Sequence, residues 1–333
     1  MRKINAAVSL IALLSTMPAT AQETETPEFP SPNAIVEAAP ASDWVKIAPS
    51  DLLVMNLAPD AEGNPRRVVI QLMPEPFSQG WIRNIRKLAA AHWWDGTSIN
   101  RVQDNYVVQW GDAGYDNPES GETEQKPLPE GLETVPESEY FVSDTNILEP
   151  REFIQADVHT LRLIPLSRIG KDAYAQTTIS YAGWPVARYN DGTNSPVHCY
   201  GAVGVGRNYS PDTGSGAELY TVIGHAPRHL DRNIAVVGRI IEGIEHLSSL
   251  PRGKGQLGFY EDAGKRVPIT SIRLGDALAE EPAPAFEYLD TESELFAKYA
   301  DARANRRDPF FIKPAGGADI CNIPVPVRRV SRE

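Results

Sequence analysis

Residues 95–112 read Asp95-Gly96-Thr97-Ser98-Ile99-Asn100-Arg101-Val102-Gln103-Asp104-Asn105-Tyr106-Val107-Val108-Gln109-Trp110-Gly111-Asp112. Asp95-Gly96 is a turn pair, and the residues from Ser98 to Trp110 are rich in the β-branched and aromatic side chains that suit a pleated surface, closing on Gly111-Asp112. Upstream, Leu52 to Leu57 and Arg67 to Met73 read as two strands joined through Pro59-Asp60-Ala61-Glu62-Gly63-Asn64, which suits a hairpin. Ser78 is placed to cap a helix running to about His92, in which Ile82, Ile85, Leu88 and Ala89 recur at three-to-four spacing. Downstream come strands at Val197 to Val205, Glu218 to Gly224, Ala235 to Val237 and Pro268 to Leu274, with a short helix expected from Gly238 or Arg239 to Leu250. Strands predominate and two helices accompany them, so the chain reads as mainly β, a closed antiparallel barrel in preference to a doubly wound sheet.

The ends and the middle are of a different kind. Arg2 and Lys3 precede an apolar run from about Ala6 to Leu14, and Ala19-Thr20-Ala21 follows, so residues 1–21 read as a cleavable signal peptide and the mature chain as a periplasmic protein. No other apolar stretch is long enough to hold it in a membrane, and no membrane insertion is expected once the signal is cut. Residues 22–46, rich in Pro, Glu, Ala and Thr, read as a flexible lead-in, with order beginning near Trp44. Residues 47–276 read as one domain interrupted by an insertion at about 113–196, which opens as an acidic, Pro-rich loop and continues with segments such as Leu161 to Leu166 and Thr177 to Tyr181. From about residue 277 to 333 a C-terminal extension follows. Its Thr291-Glu292-Ser293-Glu294 is a capping-box pattern opening a helix with Leu295, Phe296 and Tyr299, and Phe310, Phe311 and Ile312 are expected to seek an apolar surface on the barrel.

The formal charge of −12 becomes −14 once Arg2 and Lys3 leave with the signal, a balance that repels phosphate backbones and argues against a nucleic-acid partner. Cys199 and Cys321 are the two cysteines; in an exported chain an even count favours a disulfide, the alternative being two separately buried thiols.

Two blocks carry a resemblance. Gly96-Thr97 leading to Arg101-Val102, with Gln109 eight residues after Arg101 and Gly111-Asp112 beyond, resembles the cyclophilin signature, where a Gly-Thr turn leads to His-Arg-Val and a Gln precedes Gly-Gly-Asp. His229-Leu230-Asp231-Arg232, then Val237-Gly238-Arg239-Ile240-Ile241-Glu242-Gly243, is similar to that family's Leu-Asp-Gly-Lys turn and its Phe-Gly-Lys/Arg-Val-x-Glu-Gly junction. The resemblance spans about residues 50–112 and 197–276. It implies an eight-stranded antiparallel barrel with a helix at each end, a proline-binding groove on the outer face, and peptidyl-prolyl cis-trans isomerase activity on unfolded or partly folded polypeptides without a cofactor. By position Arg101 and Gln109 match catalytic residues. Tyr106, Val107 and Leu230 match pocket-lining ones, and Glu218 and Tyr220 match a second Gln and a pocket Phe if an extra residue falls after Tyr220. Ile234 stands where most members have His, Trp110 replaces a Gly, and His229 occupies the place of the Trp associated with cyclosporin, so weak cyclosporin binding is expected.

The chemistry explains the choice of groups. Rotation about X-Pro crosses a resonance barrier of about 18 to 20 kcal/mol. A permanently charged guanidinium aimed at the prolyl nitrogen donates to its lone pair once that nitrogen pyramidalises, an interaction stronger in the twisted transition state than in either planar state. His225-x3-His229-x-Asp231 has a zinc-like look, yet Pro227 between the histidines prevents one helical face from presenting both, so no metal site is expected. The competing functional reading is a non-enzymatic chaperone or binding module on the same scaffold.

Overall fold

The computed structural model describes residues 29–115, 117–143, 172–278 and 284–330. The expected signal peptide and the segment Leu161 to Leu166 lie outside them. In chain order the elements begin with α1 (Pro32–Glu37), β1 (Trp44–Ile47), β2 (Leu52–Leu57), β3 (Arg66–Leu72), α2 (Gln79–Ala90), β4 (Ser98–Val102) and β5 (Val107–Gly111). The insertion follows with β6 (Val142–Ser143), β7 (Thr177–Tyr181), β8 (Trp184–Arg188) and β9 (Thr193–Pro196). Then come β10 (Ala202–Val205), β11 (Leu219–Val222), β12 (Val236–Glu242), α3 (Glu245–Ser248), β13 (Val267–Leu274), β14 (Phe286–Leu289), α4 (Glu294–Ala304) and β15 (Val327–Arg329).

Eight strands close a barrel in the order β10-β11-β5-β4-β13-β2-β3-β12, every pairing antiparallel. Leu53, Met55, Val68, Ile70, Ile99, Val108 and Trp110 are buried in its principal core, and α2 adds Trp81, Ile82, Ile85 and Leu88 to it. The insertion has a sheet of its own, ordered β6-β9-β8-β7, whose Trp184 and Val186 join the same core. Thus the described strands of the insertion pack against the barrel.

Several expectations change. The lead-in is ordered from residue 29: α1 is capped by Ser31, and β1 pairs with β14, Trp44 opposite Leu289. The partner strand lies far along the chain, where no local pattern points to it. Ser78 does not cap α2. Its φ of 57° is left-handed and its Oγ donates to the Val236 carbonyl at 2.8 Å; the open Gly80 N–H is taken instead by the Glu139 carboxylate, from the insertion, at 3.0 Å. The second helix shrinks to α3, because residues 238–242 continue β12. The strand ends at Gly243, where φ is +82° and a Cβ would meet the Arg67 carbonyl oxygen at 2.1 Å.

The tail helix forms, capped by Ser293 accepting from the Phe296 N–H at 3.0 Å, while Thr291 accepts from Gly183 N–H. Phe296 and Tyr299 are buried with Trp44 and Ile323, and Phe286 packs with Leu52, Val54 and Val69 of the barrel. Phe310, Phe311 and Ile312 do not dock: Phe310 is 85% and Ile312 103% exposed. The loop is anchored by polar pairs such as Arg306 with Asp308, so its apolar side chains project outward. Cys199 and Cys321 form a disulfide with Cα atoms 5.1 Å apart. Among the described residues no helix is long and apolar enough to cross a membrane.

Candidate active site

Arg101 and Gln109 face each other across β4 and β5. The hairpin carries a bulge between Ile99 and Arg101, which swings Arg101 into register with Gln109. Its Nη1 donates to Gln109 Oε1 at 3.1 Å, its Nε to the Leu257 carbonyl at 2.7 Å, and its Nη2 to Gln103 Oε1. The guanidinium lies 5.8 Å from the Tyr106 ring centroid and 5.5 Å from that of Phe259. Burial lowers its pKa from the ordinary arginine value, and the neighbouring Tyr106 partly offsets this; an arginine remains charged under any such shift. The result is a fixed cation on the outside of the barrel, walled by two aromatic rings.

Tyr220 on β11 stands directly opposite Gln109, and Val107, two residues earlier on β5, shares the Gln109 face. Val107 is buried, so it offers its apolar side chain to packing more than to solvent. Tyr106 stacks against the exposed His229 ring, with centroids 6.5 Å apart and planes 9° from parallel. Leu230 and Ile234, on the loop between β11 and β12, are half-buried against the main core.

Glu218 does not line an open surface. It is 3% exposed, accepts from the Asp112 N–H at 2.5 Å and from Asn117 Nδ2 at 3.2 Å, and lies 3.5 Å from Gln109 Nε2. Gly111 makes room for it, since a Cβ there would come within 2.0 Å of Glu218 Oε1. Burial pushes the Glu218 carboxyl up to about 8, outweighing the donors around it.

Sequence reading missed a buried polar chain that ends on Tyr220, the β11 residue opposite Gln109. His198 Nδ1 is 2.9 Å from Asp231 Oδ1, and its Nε2 is 3.0 Å from the Tyr220 hydroxyl. The Asp231 carboxylate can only accept, so Nδ1 donates to it, while Nε2 faces the Tyr220 hydroxyl, whose phenol is pushed well above its ordinary pKa by burial. Asp231 Oδ2 accepts from Arg228 Nε at 2.6 Å, and Arg228 Nη1 reaches Asp172 of the insertion at 2.8 Å and lies 3.8 Å from Asp319 of the tail. Asp231 and Tyr220 were singled out for other reasons, and nothing in the sequence links them to His198. Phe259 and Leu257, which contact Arg101, carried no signal, being brought to it by a loop more than 150 residues away in sequence. With Asp231 held by His198 and Arg228, it is not free to join His225 and His229 as a ligand; among the described residues no group of three His, Cys, Asp or Glu side chains is arranged around a metal position.

Among curated proteins no sequence matches the chain. A solved cyclophilin, AquaCyp293 from Hirschia baltica, superposes with a TM-score of 0.60 at 20% identity over 87% of this chain and 94% of its own; at that identity the likeness speaks to the fold. A cyclophilin-type isomerase from Cryptosporidium parvum, crystallised in the presence of the dipeptide Ala-Pro, gives a TM-score of 0.35 at 12% identity, over 66% of this chain and 98% of its own. The family model for cyclophilin-type peptidyl-prolyl cis-trans isomerases matches residues 62–274, more than half of the sequence and the whole of the barrel except β2. The chain therefore belongs to the cyclophilin-type peptidyl-prolyl cis-trans isomerase family.

Proposed function

We propose that this isomerase rotates X-Pro bonds in proline-containing, unfolded or partly folded polypeptides of the cell envelope, with Arg101 as the group that acts on the prolyl nitrogen and Gln109 as its partner in the groove. The observation that carries this reading is the Arg101–Gln109 bond on the outer barrel face, set between Tyr106 and Phe259. In this reading a prolyl ring lies on the apolar side of the groove, near Tyr106, Val107, Tyr220 and Leu230, and presents its nitrogen to the guanidinium. The cation favours the pyramidal nitrogen of the twisted state, and its surroundings exclude part of the solvent that would otherwise screen it. No cofactor is needed for a rotation. His229, with Ile234 beyond it, borders the pocket, and weak cyclosporin binding follows from the absence of an indole at position 229.

Turnover of X-Pro peptides, followed by a protease-coupled or NMR-exchange assay, tests the assignment. Arg101→Ala is expected to lower kcat/KM on the order of a hundredfold with the melting temperature nearly unchanged, and Arg101→Lys to restore little, lacking the planar fork. Near-wild-type turnover in the Ala variant removes Arg101 from the mechanism; no turnover in the wild type leaves the binding-module reading. The envelope address rests on residues 1–21, and recovery of the expressed chain in the cytosol with Met1 retained would overturn it.

A further inference from the structure

The loop that begins the insertion returns a side chain to the groove. Asn117 is 8% exposed, and its Oδ1 accepts from Gln109 Nε2 at 2.8 Å. Its own Nδ2 donates to the Tyr115 carbonyl at 2.7 Å and to Glu218 Oε2 at 3.2 Å. A backbone carbonyl can only accept, so the Tyr115 contact fixes which end of the Asn117 amide is nitrogen. The oxygen is thereby left facing Gln109.

The same logic passes one residue further. Because Asn117 offers an acceptor, Gln109 must turn its Nε2 toward it, and its Oε1 then faces Arg101 Nη1. Turned the other way, the Gln109 NH2 would meet the guanidinium donor against donor, and its oxygen would meet that of Asn117. An isolated glutamine amide rotates broadly about its last torsion, and here it is selected from both ends, by the donor-only guanidinium at Oε1 and by the Asn117 and Glu218 oxygens at Nε2. The Tyr115 carbonyl fixes the Asn117 end, the shorter of the two Nε2 contacts.

We propose that Asn117 is a positioning residue of the isomerase site, carried by the insertion, that sets the amide orientation of Gln109 and through it the direction of the Arg101 guanidinium; this rests on the reading of Arg101 and Gln109 as the reactive pair. It follows that the insertion is part of the active site. Arg101 has its other two anchors on Leu257 and Gln103, so Asn117 governs one of three bonds holding the cation.

The full mature chain is used for the test. Asn117→Ala should lower kcat about fivefold to tenfold, the equivalent of one neutral hydrogen bond, with KM changed by less than about twofold. In a Gln109→Ala background the same substitution should change kcat by less than about twofold, because the group it acts through is gone. Equal losses in both backgrounds, or a gain in turnover, would overturn the proposal. A spectroscopic arm needs no folded Asn117 variant: the Gln109 side-chain NH2 resonances, assigned by their disappearance in Gln109→Ala, should show protection from solvent exchange in the wild type. Freely exchanging protons would overturn the Asn117–Gln109 bond itself. Absence of turnover in the wild type with protected Gln109 protons would instead remove the isomerase role of Arg101 while leaving the bond in place.

Discussion

Replacing Glu218 with Gln should change how stability depends on pH, and the size of the change follows from its burial. Every polar neighbour of Glu218 donates to it: the Asp112 N–H, Asn117 Nδ2 and Gln109 Nε2 all favour the ionised form. Burial between β5, β11 and the first loop of the insertion works the other way and prevails, raising the carboxyl from 4.5 to about 8. Below about pH 4.5 the folded and unfolded chains both hold the proton, and this group adds no pH dependence. Between there and about 8 the unfolded chain releases it while the folded chain keeps it, so stability falls as pH rises; above about 8 both are ionised and the loss is complete. At about 1.36 kcal/mol per pH unit the full loss is about 4 to 5 kcal/mol. A Gln at this position cannot ionise. Urea unfolding of wild type and Glu218→Gln at intervals from pH 4 to pH 9 should therefore show the variant gaining on the wild type by that amount across the window. Any offset from the different hydrogen bonding of an amide is the same at every pH and drops out of the slope. A difference that stays flat, or that moves against the variant as pH rises, would mean that the donors prevail over burial and would refute the reasoning.

Two further outcomes separate buried from exposed electrostatics and test the covalent link. Arg228 is 3% exposed and pairs with Asp172 and Asp231, so Arg228→Met should cost about 3 to 5 kcal/mol by stranding two buried carboxylates, whereas Arg83→Ala, which breaks an open pair with Glu133, should cost less than about 1 kcal/mol; equal costs in chemical denaturation would contradict this. Reduction of Cys199–Cys321, which closes a loop of 122 residues, should lower the melting temperature by several degrees, within an entropic limit of about 4 to 5 kcal/mol, and expose the tail to protease before the barrel; two reactive thiols in unfolded, unreduced protein would show that the bond does not form in solution.

The parts legible in the sequence are those whose signals are local. Leu52 to Leu57 and the strand after Asn64 were fixed by a turn of Pro, Asp, Gly and Asn between two β-branched runs, and the structure pairs them as β2 and β3. Arg101 and Gln109 were matched by an eight-residue spacing, which works because one hairpin carries both and its bulge places them opposite each other. Residues 238–242 misled because Ile240 and Ile241 flanked by charges satisfy a helical period over so short a run; β-branching and the left-handed Gly243 decide for a strand. Phe310 to Ile312 misled differently. Apolar character makes burial favourable but does not supply a surface to be buried against; Phe310 and Ile312 stay in water, and Phe311 is covered only in part, by the Arg306 guanidinium 4.2 Å from its ring centroid.

What remained hidden is non-local, and it shares a location. Asn117 supports Gln109, Glu139 completes the start of α2, Asp172 holds Arg228, and Arg228 leads through Asp231 and His198 to the Tyr220 hydroxyl. Three of these links, from Asn117, Glu139 and Asp172, join the insertion to the barrel, and the chains that begin at Asn117 and Asp172 end on Gln109 and Tyr220, which pair across β5 and β11. Isolated, a half-exposed Arg101 on a barrel face would sample many rotamers, and a glutamine beside it would present either end of its amide. Ordering such side chains costs about 1 to 2 kcal/mol each in rotamer freedom, comparable to the whole of a typical hydrogen bond's net contribution. A groove on the outside of a small barrel therefore gains more from fixed neighbours than from additional polar groups of its own. The insertion supplies one such neighbour in Asn117, which holds the Gln109 amide that accepts from the cation. In the proposed site, the groups assigned to the reaction come from the barrel strands, and their geometry is held in part by residues that those strands do not contain.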